Sequence, residues 1–255
     1  DSKAYSNKGA ALHTLGRTEK AIAAYDQAIR VNPQDSKAYY NKALALRALG
    51  KTEEAIEAYD QAIRFNPQYS EAHYNKGIAL DALGKTEEAI AAYDQAIRLN
   101  PQHSDAYNNK GVVLRALGRA EEAIAAFDQA IRFNPRYSKA YNNKGNALRG
   151  LGRAEEAIAA FDQAIRFNPK FSDAYNNKGV VLRALGKTEE AIAAYDQAIR
   201  LNPQHSEAYA FKGYTLCVVG RQKEAEICFQ QALQYNPSEQ VVRLVELLRK
   251  EYGTA

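Results

Sequence analysis

The chain has 255 residues, of which 25% are charged, and its formal net charge at pH 7 is +4. So mild a charge argues against a dedicated nucleic-acid-binding protein, which needs a strong basic patch. The sequence has no apolar run long enough to cross a membrane and no signal-like segment at its start, so we expect no membrane association.

The sequence repeats with a period of 34 residues. Seven copies cover residues 1–34, 35–68, 69–102, 103–136, 137–170, 171–204 and 205–238. Residues 239–255 break the pattern, and we predict that they form a C-terminal capping helix and a tail. A period of this length indicates a solenoid, in which each repeat buries its apolar face only against its neighbours. Because the chain opens directly on a repeat and has no initiating methionine, we also expect a fragment of a longer protein.

Each repeat is predicted to be a helical hairpin, as residues 103–136 illustrate. Ser104 can cap a first helix, and Gly118 can end it, because glycine accepts the left-handed conformation at little cost. Glu121 lies in the first turn of a second helix, where its charge favours the positive end of the helix dipole. Pro135 ends that helix, since proline cannot continue the ladder of hydrogen bonds.

The spacing of the apolar and small residues resembles that of the tetratricopeptide repeat. In residues 103–136 the pattern consists of Tyr107, Gly111, Leu114, Ala123, Phe127 and Pro135. The resemblance covers all seven repeats and implies an all-α fold, a right-handed superhelical solenoid of helix-turn-helix repeats whose first helices line a concave groove. It also implies a scaffold for protein–protein interaction.

The chain departs from the family pattern at place 8 of each repeat, where lysine replaces leucine. These lysines are Lys8, Lys42, Lys76, Lys110, Lys144, Lys178 and Lys212. The lysine stem can cover apolar surface while the ammonium group reaches water. Alternatively, the lysine can pair with an aspartate of the second helices, which would form a stabilising ladder. The aspartates are Asp26, Asp60, Asp94, Asp128, Asp162 and Asp196.

Asparagine occupies place 7 of six repeats, in the middle of the first helix. We call these residues the asparagine row: Asn7, Asn41, Asn75, Asn109, Asn143 and Asn177. Asparagine is a poor helix former, so its recurrence needs a reason. A carboxamide can both donate to and accept from one residue of an extended peptide, so a row of them can hold a backbone without reading its sequence.

The asparagine row resembles the asparagine ladders of the superhelical repeat domain of O-linked N-acetylglucosamine transferase and of armadillo-repeat import receptors. That resemblance implies a peptide ligand. The alternative interpretation is that each amide bonds to a neighbouring repeat and orders the stack. The two roles are compatible.

Places 6 and 13 of the first helices are predicted to line the same groove. Place 6 contributes the candidate binding residues Tyr40, Tyr74, Asn108, Asn142 and Asn176. Place 13 contributes Arg47, Arg115, Arg149 and Arg183. Tyrosine can hold an apolar or proline side chain, and the arginine fork can bind acidic side chains or a carboxylate. A single arginine can equally be a solvated charge at the rim that contributes little binding energy.

Place 6 lacks the lysine that clamps the Glu-Glu-Val-Asp tail of chaperones, so we predict no such clamp.

The seventh repeat carries an apolar patch that includes Phe211 and Tyr214. Ser238 can start the capping helix, and we expect the apolar stripe of that helix to be buried on the seventh repeat. The stripe consists of Val241, Val242, Leu244, Val245, Leu247 and Leu248. The alternative is that Phe211 and Tyr214 stay exposed and dock a partner or a second copy of the chain.

No set of residues indicates catalysis, a metal site or a cofactor. The four histidines lie in different repeats, and no glycine-rich loop can cradle a phosphate. We interpret Cys217 and Cys228 as core or groove residues of a protein in a reducing compartment, the cytoplasm. We therefore predict a non-enzymatic scaffold that binds a protein or peptide in extended conformation. Two alternatives stay open, an RNA-binding helical-repeat protein, which the mild charge disfavours, and a self-assembling structural scaffold.

Overall fold

The computed structural model describes residues 1–235 and 237–253, so Asn236 of the seventh repeat and the last two residues of the predicted tail lie outside the described residues. The described chain contains fifteen α-helices and no β-strand, which confirms the predicted all-α fold. It forms two compact units, Asp1–Phe133 and Asn134–Ala255. None of the described helices is long and apolar enough to span a bilayer.

The first unit contains four helical hairpins. Their helices are α1 (Ser2–Thr14), α2 (Thr18–Val31), α3 (Ser36–Ala48), α4 (Thr52–Phe65), α5 (Ser70–Ala82), α6 (Thr86–Leu99), α7 (Ser104–Ala116) and α8 (Ala120–Phe133). The two helices of each hairpin pack together, and α3, α5 and α7 also pack against the second helix of the preceding hairpin. The unit is therefore a stack in which each hairpin is covered by its neighbour in sequence.

The second unit contains three hairpins and a final helix. Its helices are α9 (Ser138–Gly150), α10 (Ala154–Phe167), α11 (Ser172–Ala184), α12 (Thr188–Leu201), α13 (Ser206–Val218), α14 (Gln222–Gln234) and α15 (Glu239–Tyr252). Helices α11 and α13 pack against α10 and α12, respectively, and α15 packs against both α13 and α14. The final helix thus covers the last hairpin.

The helix ends follow from local backbone chemistry. Gly118 turns the chain between α7 and α8 with a φ of +77°, and its N–H donates to the carbonyl of Arg115 at 3.0 Å. At the end of α6, the side-chain oxygen of Asn100 accepts a hydrogen bond from the N–H of Gln102 at 3.2 Å. This bond closes a turn around Pro101. Glycine and asparagine-proline therefore end the helices as the sequence predicts.

The predicted cap of the first helices is wrong at Ser104. The residue that caps α7 is His103, whose Nδ1 accepts from the N–H of Ala106 at 3.3 Å, and Ser104 is the first residue inside the helix. In the third repeat the buried serine at the same place, Ser70, donates its hydroxyl to the carbonyl of Ala96 at 3.0 Å. That serine links the start of α5 to the last turn of α6.

A glycine on the first helix receives an aromatic ring from the second. A Cβ atom built on Gly111 would lie 2.6 Å from Cε1 of Phe127, far inside van der Waals contact. Gly145 stands in the same relation, also at 2.6 Å, to Phe161. Both rings are completely buried, so the predicted packing of large against small residues is confirmed.

The final helix buries its apolar stripe on the seventh repeat. Ser238 caps α15, accepting at its Oγ from the N–H of Val241 at 3.4 Å. The side chains that face the core of the seventh repeat are Val241, Val245 and Leu248. Arg249 of α15 donates to Glu226 of α14 at 2.6 and 3.1 Å, which adds an ionic contact to the apolar one. The expected burial of the stripe is confirmed for these three positions and in part for Leu244, which packs against the same core, but it is wrong for Leu247, which is exposed.

Candidate binding face of the first helices

In the first unit, two residues of the asparagine row, Asn75 and Asn109, donate hydrogen bonds to the preceding repeat. The Nδ2 of Asn75 donates to the hydroxyl of Tyr40 at 3.2 Å and to the carbonyl of Glu71 at 2.9 Å. The Nδ2 of Asn109 donates to the hydroxyl of Tyr74 at 3.1 Å. Both asparagines are half-buried. Each carboxamide is therefore held by the place-6 residue one repeat earlier, as the alternative interpretation of the row predicts.

In the second unit, the same link is made between two amides. The Nδ2 of Asn177 donates to Oδ1 of Asn142 at 3.1 Å. Asn177 is half-buried, and Asn142 beneath it is buried. Asn replaces Tyr at place 6 here, yet the direction of the hydrogen bond is unchanged. The place-7 amide thus donates to the preceding repeat in both units.

The three place-6 asparagines are buried. Asn108, Asn142 and Asn176 expose only 5%, 7% and 3% of their surfaces, respectively. Amides buried so deeply contact neighbouring helices and offer little surface to a ligand. Their sequence-based assignment as direct peptide contacts is therefore corrected. Asn108 and Asn142 instead form hydrogen bonds with the asparagine row, at Asn109 and Asn177, respectively.

Tyr40 and Tyr74 are half-buried, with rings held by residues of the same and the next repeat. The ring of Tyr40 lies 4.8 Å from that of Tyr69, and the ring of Tyr74 lies 4.5 Å from that of His103. Burial raises the pKa of both Tyr40 and Tyr74 above the usual range. Both phenols therefore stay protonated at neutral pH, and their hydroxyls can accept from the asparagine row.

The four arginines of place 13 differ in exposure. Arg115 and Arg149 are exposed, whereas Arg47 and Arg183 are half-buried. In the second unit, Arg149 and Arg183 line one cavity of about 330 Å³ together with Val180, Val181 and Leu185. The structure therefore brings two of the predicted arginines together above an apolar floor.

The apolar patch of the seventh repeat is not an open surface. Phe211 stacks on the ring of Tyr195 with 6.4 Å between centroids, and Tyr214 packs against Tyr252 of the final helix at 6.3 Å. Both Phe211 and Tyr214 are half-buried. The final helix covers part of the patch, as the first of the two interpretations predicts.

The family assignment rests on most of the chain. The tetratricopeptide repeat family model matches residues 7–70, 74–138, 142–206 and 176–240. The chain belongs to the tetratricopeptide repeat family. No curated protein sequence matches it.

Solved structures similar to this tetratricopeptide repeat protein share its fold. A tetratricopeptide repeat protein from Parabacteroides merdae ATCC 43184 is 20% identical with a TM-score of 0.76, and the match covers 97% of this chain and 98% of that one. YrrB, described as a tetratricopeptide repeat protein with an unusual peptide-binding site, is 27% identical with a TM-score of 0.61, covering 72% and 95%, respectively. MamA is 28% identical with a TM-score of 0.61, covering 65% and 96%.

In this tetratricopeptide repeat protein, five of the lysines that depart from the family pattern pair with aspartates of the preceding repeat. Lys42 lies 2.7 Å from Asp26, and Lys76 lies 2.6 Å from Asp60. The same pairing joins Lys110 to Asp94, Lys178 to Asp162, and Lys212 to Asp196. These partly exposed pairs order neighbouring hairpins and add little stability individually.

One contact between repeats of the second unit was not predicted from the sequence. Nε2 of His205, a buried residue at place 1, lies 3.2 Å from Oδ1 of Asp173 at place 3 of the preceding repeat. The His205 imidazole lowers the pKa of the Asp173 carboxyl. The sequence offered one sign of a contact at this place, because place 1 of five successive repeats carries a ring: Tyr69, His103, Tyr137, Phe171 and His205. Among the described residues, no group of three or more His, Cys, Asp or Glu side chains is placed to hold a metal ion.

Proposed function

We propose that this tetratricopeptide repeat protein is a non-catalytic scaffold that binds an extended peptide segment along the asparagine row. One observation carries the proposal: the half-buried carboxamides of Asn75, Asn109 and Asn177 are each held in place by a hydrogen bond to the preceding repeat. A carboxamide fixed before the ligand arrives loses little conformational entropy on binding. The peptide-binding site named for YrrB, which is 27% identical, supports the same class of ligand.

The hydrogen bonds between repeats leave the carbonyl oxygens of Asn75 and Asn177 available, whereas Oδ1 of Asn109 accepts one hydrogen bond, from Nδ2 of Asn108 at 3.2 Å, and keeps a second lone pair. The Oδ1 atoms of Asn75 and Asn177 accept no hydrogen bond from the described residues. An extended peptide presents one N–H donor per residue, and alternate N–H groups point to the same side of the strand. The row would therefore accept peptide N–H groups at its carbonyl oxygens while its amino groups remain bound to the protein. This mode holds the backbone without reading its side chains.

The test is to select peptide ligands from a random linear library against the whole chain, and then to measure their affinity for a variant of the row. Asn109, Asn143 and Asn177 are changed together to alanine. We expect the dissociation constant to rise at least about tenfold, because several backbone hydrogen bonds are lost at once. Thermal unfolding and circular dichroism check that the stack still folds.

The matched control removes carboxamides from the second helices instead. Gln61, Gln129 and Gln163 occupy place 27 of their repeats and, like the row, are half-buried. Changing these three to alanine should leave affinity for the selected peptides unchanged. The proposal fails if the library yields no ligand, if the asparagine variant binds as well as the native chain, or if the glutamine variant loses as much affinity.

A further inference from the structure

We propose that the cavity between α9 and α11 is a subsite for the carboxylate side chain of a glutamate in the bound peptide. The cavity measures about 330 Å³, and its lining residues include two cations, Arg149 and Arg183, and the apolar residues Val180, Val181 and Leu185. This assignment rests on the proposed function, because it names one side chain of the peptide that the asparagine row would hold.

Arg183 is a half-buried cation with no carboxylate partner in the described part of the chain. Three other arginines of the second unit pair with glutamates: Arg153 with Glu156 at 2.7 Å, Arg221 with Glu224 at 2.7 Å and Arg249 with Glu226 at 2.6 Å. A charge removed from water without an opposite charge is costly, so an incoming anion would be stabilised at Arg183.

The guanidinium of Arg183 is fixed in orientation by an aromatic ring. Its central carbon lies 4.4 Å from the centroid of the Tyr214 ring, a cation–π contact, and Tyr214 is itself packed against Tyr252. The Nε atom of Arg183 is buried and has no acceptor among the described residues. A guanidinium held by stacking keeps its N–H edge in one direction, which favours a planar carboxylate over a neutral group.

The cavity lies where it can receive the side chain of a peptide residue whose backbone is bound by Asn177. Arg183 lies six residues beyond Asn177 on α11, a rise of about 9 Å along the helix. Long side chains on helices lean toward the N-terminus, which brings the guanidinium back toward Asn177 by roughly one turn. A glutamate can bridge the remaining gap, and its methylene groups can cover the apolar floor. An aspartate lacks the second methylene group and would reach less far.

The first unit provides an internal control, because it lacks this subsite. Three repeats before Arg149, Arg183 and Tyr214, the corresponding residues are Arg47, Asp81 and Val112. Arg47 has no ring at the position of Tyr214, since Ile78 occupies that place in the following repeat, and the next place-13 residue, Asp81, is acidic. An anion therefore meets one cation and one anion there, instead of two cations.

The experiment titrates the whole chain with N-acetylglutamic acid α-amide, which carries a single side-chain carboxylate, and follows the Nε–H signals of its arginines by NMR. The neutral analogue N-acetylglutamine α-amide is titrated in parallel. We expect the glutamate probe to shift the Arg183 signal in a saturable manner, and the glutamine probe to leave it unchanged. Substitution R183Q, which also assigns the signal, should weaken binding by about tenfold when monitored at the Arg149 signal.

Two further variants make the outcome specific. R183K retains the charge without the fork and should bind with intermediate affinity, whereas R47Q changes an arginine at the same place of the first unit and should bind like the native chain. Thermal unfolding of each variant confirms that the stack is intact. The proposal is overturned if no saturable shift occurs, if the glutamine probe binds equally, or if R47Q weakens binding as much as R183Q.

A third probe separates a side-chain carboxylate from a chain end. N-acetylleucine carries its carboxylate on the main chain, beside an apolar side chain. If N-acetylleucine binds more tightly than the glutamate probe, the subsite serves a peptide C-terminus and the assignment to glutamate is wrong. None of these probes needs the asparagine row. If the titration detects no binding, only the carboxylate subsite is rejected, and the asparagine variants still test peptide binding by the row. If the asparagine variants bind normally, only the row is rejected, and the titration still tests the subsite.

Discussion

The two units build the same hairpins but join them with different polar contacts. In the first unit, Asn109 donates to the phenol of Tyr74, and His103 packs its ring on the same tyrosine at 4.5 Å. In the second unit, Asn177 donates to the amide of Asn142, and His205 meets the carboxylate of Asp173 at 3.2 Å. Histidine at place 1 thus contacts an aromatic ring in one unit and an anion in the other.

This difference shows that the polar contacts between repeats can change while the packing inside each hairpin stays the same. The packing of glycine against an aromatic ring is the same in both units, since an added Cβ atom would approach Phe127 and Phe161 equally closely, at 2.6 Å. The residues at places 6 and 13 differ between repeats, and this packing is the same whichever of them is present. They can vary from repeat to repeat, so one regular stack can present different chemistry along its length.

The largest change in unfolding free energy is expected at the packing of glycine against an aromatic ring, which the two units share. Gly145→Val would place a branched side chain against the buried ring of Phe161, and we expect the free energy of unfolding to fall by about 2 kcal/mol, the usual cost of overpacking. Urea unfolding followed by circular dichroism measures the change. A matching loss for Gly111→Val would show that the packing is shared between the units.

The control for this substitution lies in the same helix. Nothing lies within 4 Å of a Cβ atom built on Gly150, and its φ is not in the left-handed region. Gly150→Ala should therefore stabilise the protein by roughly 0.5 kcal/mol, because alanine is the better helix former. If G145V proves as harmless as G150A, the ring does not occupy the glycine position in solution.

A medium effect is expected where the units differ at place 6. Tyr74→Phe removes the hydroxyl that accepts from Asn109 at 3.1 Å and should cost about 1 kcal/mol of unfolding free energy, as for one lost hydrogen bond between partly buried groups. Tyr107→Phe is the control, since that half-buried ring stacks on Phe133 and should cost close to zero. If Y74F and Y107F lose equal amounts of unfolding free energy, the hydrogen bond between Tyr74 and Asn109 does not stabilise the first unit.

The smallest effect concerns the ionic contact of the second unit and depends on pH. The pKa of Asp173 is lowered by His205, so its contribution to stability is present above about pH 4 and is lost as the pH falls through the lowered pKa. Because Asp173 is largely exposed, we expect Asp173→Asn to cost only about 0.5 kcal/mol near pH 5, after solvent screening, and less near pH 3.

Denaturant unfolding at several pH values measures this dependence. Glu207→Gln, at the same place of the next repeat, serves as the control and should show no loss near pH 5. A constant difference between D173N and the native chain across pH 3–5 would mean that the carboxylate does not act through its charge.

Much of the fold could be predicted because it rests on residues close together in the sequence. The hairpin ends, set by Gly118 and by the turn at Asn100, depend on the conformations that glycine and proline allow. The pairing of Gly111 with Phe127 lies within one hairpin and follows from helical spacing. One local prediction failed, since the cap of α7 is His103 and not Ser104.

The partners of the binding-face residues depended on how one hairpin is rotated against the next, which no pattern within a single repeat contains. Asn75 reaches Tyr40, thirty-five residues away, and Asn177 reaches Asn142 across the same interval. The cation–π contact between Arg183 and Tyr214 also joins two repeats. The burial of the place-6 asparagines likewise depends on neighbouring helices; these residues are Asn108, Asn142 and Asn176. The sequence by itself therefore determined which hairpin is built and where it turns, because those are local backbone and helix-face properties. Only the tertiary structure decided which polar groups face each other, because that depends on atoms brought together across the junction of two folded repeats.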